Sequence, residues 1–286
     1  NIGGYKPTVR VNSADVNGEV LIDNLHLIGN EDGFNSHGRD TALYADGSLL
    51  ILGTNIDCGS VSDRQGVQIN GGRSSGDTDD TDLRVFSGTY TNIFGGSNSG
   101  NITGSTNVVI AGATITDTVY GGSMRGDVTE TNVLIVKGGV CDESDWNSDG
   151  TINQNYRTVI GGSRFSGTVG ESNVTISGTA TVFAVQGGGR SSGEFVFNEG
   201  SWWDDPYYTN NIGTKTTETN VVVSGSSTVV YMVCGGVTDG RFHPDSSYYP
   251  VENSHVIIRD SPTVNDVYGG GWDTYNNPVG YSTRST

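Results

Sequence analysis

Apolar residues in this chain come in short runs broken by polar ones, and the runs recur. Thr106-Asn107-Val108-Val109-Ile110, Thr131-Asn132-Val133-Leu134-Ile135, Ser172-Asn173-Val174-Thr175-Ile176 and Thr219-Asn220-Val221-Val222-Val223 share one template: a hydroxyl residue, an asparagine, then an apolar stretch. A second short run follows and closes on a glycine doublet, as in Thr118-Val119-Tyr120-Gly121-Gly122 and Asn265-Asp266-Val267-Tyr268-Gly269-Gly270. The doublets fall at Gly71-Gly72, Gly95-Gly96, Gly121-Gly122, Gly161-Gly162, Gly187-Gly188, Gly235-Gly236 and Gly269-Gly270. Runs this short, bounded by Gly, Ser, Thr, Asn and Asp, predict strands, and no stretch has the spacing of a long amphipathic helix.

Such strands cannot bury a face alone. Stacked on copies of themselves they can, each layer pairing its backbone with the layers above and below at about 4.8 Å. The shortest intervals, about 25 residues, predict an all-β, single-stranded right-handed parallel β-helix of about nine coils, with alternate side chains filling a narrow apolar lumen. One domain is expected over residues 1–286: irregular coils in 1–64, regular repeats in 65–271 and a tail in 272–286. Within the irregular part, Val20 to Gly29 and Ser48 to Gly53 read as strands. The doublets should mark corners that need positive φ or leave no room for a Cβ. Asn107, Asn132, Asn173 and Asn220 predict a ladder at another corner, with His255 in the same column at the last repeat.

The pattern Thr-Asn-Val-x-Ile-x-Gly followed by Val-Tyr-Gly-Gly resembles that of large repetitive surface proteins of Gram-positive bacteria, and the stacked short strands resemble the pectin-lyase-like right-handed β-helix superfamily. The resemblance implies a cell-surface or appendage protein. It implies no particular activity, because that superfamily holds lyases, hydrolases, phage tailspikes and adhesins alike.

Charge narrows the partners. A formal net charge of -17, from 15 basic and 32 acidic residues, repels nucleic acid and anionic lipid. No stretch approaches the roughly 20 apolar residues that a spanning helix needs. A start at Asn1 without Met and a Gly/Ser/Thr/Asn-rich acidic composition point to a mature or excised extracellular piece. Cys58, Cys141 and Cys234 are too few and too far apart for a disulfide framework, leaving either one bridge or three buried thiols.

Lengthened corners are where function is expected, since a regular coil carries only structure. The intervals from Gly121 to Gly161, from Gly187 to Gly235 and from Gly235 to Gly269 are 40, 48 and 34 residues. The first contains a stretch resembling the calcium loop of EF-hand and dockerin modules, with Asp145, Asn147, Asp149, Thr151 and Asn153 as ligand positions around Gly150. Tyr156 stands where a closing carboxylate belongs, so Ca2+ would bind weakly unless Asp142 or Glu143 substitutes; the competing reading is a polar turn. The second and third insertions leave one corner of adjacent coils and should bring together Trp202, Trp203, Tyr207, Tyr208, Phe242, Tyr248 and Tyr249, with Trp272 and Tyr275 one coil further on. Flat rings with polar rims suit a glycan or a cell-surface protein, and also suit a local mini-core.

Asp239 and Asp273 share an offset after consecutive doublets, and Asp204 and Asp205 could overhang them, which is the arrangement of a glycoside hydrolase. A polysaccharide lyase is disfavoured by the presence of only Lys6, Lys137 and Lys215 as lysines. The acidic run Asp77, Asp79, Asp80 and Asp82 reads first as a solvated corner, ahead of a cation site. Uncovered strand edges would allow end-to-end homo-oligomers or a filament. The expectation is a non-catalytic extracellular solenoid that mediates adhesion through its aromatic and acidic loops.

Overall fold

The computed structural model describes residues 9–10, 19–26, 41–57, 67–140, 158–189, 214–237 and 251–270. Their regular structure is entirely β. The strands are β1 (Val9–Arg10), β2 (Glu19–Ile22), β3 (Leu25–His26), β4 (Thr41–Tyr44), β5 (Leu49–Leu52), β6 (Ile56–Asp57), β7 (Val67–Asn70), β8 (Thr81–Val85) and β9 (Thr89–Phe94). They continue as β10 (Ile102–Tyr120), β11 (Val128–Val140), β12 (Thr158–Ile160), β13 (Thr168–Gln186), β14 (Lys215–Ser224), β15 (Val229–Cys234), β16 (Val251–Arg259) and β17 (Thr263–Tyr268). Fifteen form one sheet; β3 and β6 pair separately, and the pairings are parallel throughout.

Register follows the repeat. Val20, Leu50, Leu83, Val108, Val133, Val174, Val221 and Val256 occupy one column. Val9, Leu43, Ile69, Ile93, Val119, Val159, Val185, Val233 and Val267 occupy another. Side chains alternate across the strand. In β10, Thr106, Val108 and Ile110 are buried while Asn107 and Val109 between them are half-buried, so the inward columns merge into one apolar core running through the stack. Four strands close a ring of pairings, β10-β11-β13-β12. It closes because β11 and β12 are successive segments of one layer, on either side of residues 141–157, and both lie between β10 and β13.

The doublets form a column of their own. Gly71 N donates to Phe94 O at 2.9 Å, Gly95 N to Tyr120 O at 2.8 Å, and Gly96 N to Gly122 O at 3.1 Å. A Cβ on Gly95 would collide with the Gly121 carbonyl, one on Gly121 with that of Gly161, and one on Gly187 with that of Gly235. Close approach of layers, not φ, therefore demands these glycines. Positive φ falls instead on single glycines, among them Gly100 at 150° and Gly126 at 131°, each four residues after a doublet.

Two expectations shift. Val20 to Gly29 does not run as one strand, because Asn24 adopts φ of 52° between β2 and β3. The asparagine column lies mid-strand on an outward face and not at a corner: Asn107, Asn132, Asn173, Asn220 and His255 are consecutive register partners. Asn173 Nδ2 donates to Asn132 Oδ1 at 3.2 Å and Asn220 Nδ2 to Asn173 Oδ1 at 2.9 Å. Asn132 and Asn220 also donate to Glu130 and Glu171, which share an adjacent column with Glu218.

Candidate recognition surface at the stacked loop anchors

Three ladders fix the corner beside the glycine column. The serine after a doublet is fully buried at Ser97, Ser123 and Ser163. Ser97 Oγ accepts Arg73 N at 3.1 Å, Ser123 Oγ accepts Ser97 N at 3.1 Å, and Ser163 Oγ accepts Ser123 N at 3.2 Å. Inside each layer the buried hydroxyl that opens the asparagine motif reaches the first doublet glycine: Thr106 Oγ1 donates to Gly121 O at 2.6 Å, Thr131 to Gly161 O at 2.7 Å, and Thr219 to Gly235 O at 2.6 Å. After the turn, Asp77 Oδ1 accepts Asn101 N, Asn101 Oδ1 accepts Asp127 N, and Asp127 Oδ1 accepts Thr168 N, all at 2.8–2.9 Å. Backbone groups that would otherwise be orphaned at a corner are thus met by side chains of the neighbouring layer.

The acidic run belongs to this system. Asp79 accepts the Thr103 hydroxyl at 2.9 Å, Asp80 accepts Ser105 N at 2.7 Å, and Asp82 holds Arg84 at 2.9 Å, the hydrogen bond and then the charge of Asp82 raising the pKa of the guanidinium. Asp79 and Asp80 are exposed, as a solvated corner would be, and are bound to the layer above, whereas Asp82 is half-buried within β8 and bound to its own strand.

From this corner the long insertions depart. Gly188 N donates to Gly236 O at 2.9 Å and Gly236 N to Gly270 O at 3.0 Å, so the departure points are stacked in consecutive layers. The return points stack as well, since Thr216 pairs with Val251. Residues 190–213 and 238–250, and the segment after Gly270, therefore spring from one edge of the sheet. The first insertion springs from a different corner: Val140 pairs with Val182 and Thr158 with Ala184, so residues 141–157 replace the single residue Phe183 of the next layer.

Next to the stacked anchors lies a second apolar cluster outside the main core. Phe183, Ala184, Met232 and Cys234 are buried there, with Tyr231 and Tyr268 against them. The Phe183 and Tyr231 rings stack at 5.3 Å with an interplanar angle of 13°. Burial, and secondarily the charge of Asp266, pushes the Cys234 thiol up to about 12. Tyr268 is raised by burial first and then by Asp266. Cys234 is a free thiol, which takes it out of any intramolecular bridge; Cys58 and Cys141 lie outside the described residues.

All the aromatic candidates, Trp202, Trp203, Tyr207, Tyr208, Phe242, Tyr248, Tyr249, Trp272 and Tyr275, lie outside the described residues. So do the acids Asp204, Asp205, Asp239 and Asp273, and the loop ligands Asp145, Asn147, Asp149, Thr151 and Asn153. Among the described residues no group of three or more His, Cys, Asp or Glu side chains is placed to hold a metal ion. The serine ladder was open to sequence reading through the recurrent Gly-Gly-Ser triplets. The Asp77, Asn101 and Asp127 ladder left a weaker signal: its members differ in type, but each follows a single glycine, Gly76, Gly100 or Gly126, that adopts positive φ. Comparison with protein families, with curated proteins and with solved structures finds no match.

Proposed function

We propose that the chain winds as a right-handed parallel β-solenoid serving as a rigid extracellular scaffold, without catalytic activity of its own. Its insertions display an aromatic and acidic surface that binds glycan or a cell-surface protein. The observation that carries this reading is the stacking of the loop anchors at Gly188, Gly236 and Gly270 with returns at Thr216 and Val251. Segments rooted one strand spacing apart share a neighbourhood, and these segments hold three of the chain's four tryptophans. The handedness follows the general rule for crossovers between parallel strands. The setting on a bacterial surface rests on the motif resemblance alone.

Glycan-array binding of the intact chain beside a Trp202→Ala, Trp203→Ala variant tests the reading. Removing two stacking rings should lower affinity for the bound glycan at least tenfold. Equal signals from the two proteins would remove the glycan platform, leaving the protein interface to be tested with candidate surface proteins.

A further inference from the structure

With 32 acids to 15 bases, a cation of this chain readily finds a carboxylate. Arg73 pairs with Asp46 at 2.8 Å, Arg84 with Asp82 at 2.9 Å and Lys215 with Glu252 at 2.5 Å. Arg164 does not. Among the described residues it makes no ion pair, and its buried Nε has no hydrogen-bond partner. Its guanidinium lies instead 4.6 Å from the ring centroid of Phe165 and 5.8 Å from that of Tyr120. Arg125 lies 4.9 Å from the same Phe165 ring. With Phe94 stacked on Tyr120 at 4.7 Å, rings and guanidiniums form one continuous series across three layers.

A departure from the repeat produces this series. The single glycines of the turn stack, since a Cβ on Gly100 would strike Gly76, one on Gly126 would strike Gly100 and one on Gly167 would strike Gly126. Three residues separate doublet from single glycine in the layers of Gly76, Gly100 and Gly126, but four do so before Gly167: Ser163, Arg164, Phe165 and Ser166. The backbone ladder continues on both sides, Arg164 N donating to Ser123 O at 3.0 Å and Gly126 N to Ser166 O at 3.2 Å. The longer turn thus adds a ring to the corner without breaking the stack, and both arginines meet that ring.

Stacking holds a guanidinium by its faces and leaves its N–H groups, which lie in the plane, for hydrogen bonds. Arg125, Arg164 and Phe165 are each half-buried, while Phe94 and Tyr120 are buried. The ladder takes the main-chain donors of Arg164, Phe165 and Gly126, so side chains rather than an open strand edge are offered to a ligand. Charge limits its size. Asp77 and Asp127 on the same turn column, and Asp79 and Asp80 beyond it, are exposed. With a screening length of about 8 Å in physiological salt, one carboxylate at the cluster senses mainly the two arginines, whereas a polyanion running along the stack would meet those acids.

We propose that Arg125, Arg164 and Phe165 form a binding site for a single acidic sugar unit, its carboxylate held by the guanidinium groups and its ring resting against the same cluster. The site lies one layer from the loop root at Gly188 and consists of other residues, so it stands whether or not the loop surface binds glycan.

Saturation-transfer NMR of the 286-residue chain with methyl glucuronide, methyl glucoside and sodium acetate tests this. The glucuronide should bind, the glucoside should not, and acetate should bind more weakly than the glucuronide. Arg164→Lys keeps the charge but loses the planar fork, and should weaken glucuronide binding about fivefold. Arg125→Lys, an independent variant of the same site, should weaken it as well. In the parent, the arginine Nε–H signal that Arg164→Lys removes should shift on addition of the glucuronide and stay unmoved by the glucoside. The Trp202→Ala, Trp203→Ala variant should bind the glucuronide as the parent does. Failure of the glucuronide to bind would overturn the proposal, and is the result expected if a carboxylate of the chain itself occupies Arg164. Acetate binding as tightly as the glucuronide would reduce the cluster to a bare anion site and overturn it too. So would unchanged binding in both lysine variants, or loss of binding in the tryptophan variant.

Discussion

A glycine in this chain is chosen by the carbonyl it faces. Gly121 and Gly269 hold the same place in their layers, yet a Cβ on Gly121 would strike the Gly161 carbonyl while one on Gly269 would meet nothing within 4 Å among the described residues. Gly121→Ala should therefore cost about 3 kcal/mol by forcing two layers apart, whereas Gly269→Ala should change stability by less than about 0.5 kcal/mol. Urea denaturation of the two variants checks this, and comparable losses in both would refute the close-approach explanation. Cys234 makes a prediction of a different kind. Its folded pKa of about 12 lies above the unfolded value near 8.5, so the neutral thiol favours the fold fully below about pH 8.5 and that contribution declines as pH rises toward 12. Between pH 8 and 10 the Tm of the parent should fall more steeply than that of Cys234→Ala; parallel slopes would show that the thiol titrates alike in both states.

Elements here are defined by what lies one layer away. The short β12 has only Thr158, Val159 and Ile160. It is held because each residue pairs below with Thr118, Val119 or Tyr120 and above with Ala184, Val185 or Gln186. An insertion such as 141–157 can then be carried between β11 and β12 without disturbing register. For that insertion we predict Ca2+ binding at the Asp145 loop. Chelation should lower the Tm of the parent by a few degrees, on the scale of about 1 kcal/mol, and leave an Asp145→Ala, Asp149→Ala variant unmoved. A chelator-insensitive parent would return the loop to a plain polar turn.

The parallel layering, its register and the inward columns were legible in the sequence, because Gly121-Gly122 and Asn132-Val133 recur with a fixed partner on each side. Other features were not. Asn24 ends β2 through its backbone conformation, which leaves no pattern in the sequence, and the bond from Asn101 to Asp77 across 24 residues leaves only a faint one, a single glycine before each ladder member. The candidate site was legible only as far as its roots, since spacing told where the loops leave but not how Trp202 and Tyr248 are disposed.

At the scale of the whole molecule, the layers are nearly interchangeable. Thr81, Thr106 and Thr131 make the same bond to Gly95, Gly121 and Gly161, and Phe94 and Tyr120 stack at 4.7 Å as equivalents in adjacent layers. Removing residues 96–121 joins Gly95 to Gly122 and keeps each column continuous. The shortened chain should fold, with a stack about 4.8 Å shorter and a Tm lower by only a few degrees. Small-angle scattering and thermal melting check this, and a chain that fails to fold would mean that the layers are not equivalent.

The collision that forbids a side chain at Gly121 also sets how this molecule can change over time. Because each turn meets the next through the same glycine contact and the same ladders, a duplicated or lost stretch of about 25 residues meets the same fit on both sides. Reach can thus be altered by unequal crossing-over within the gene, while the ends and the loops keep the chemistry they already had.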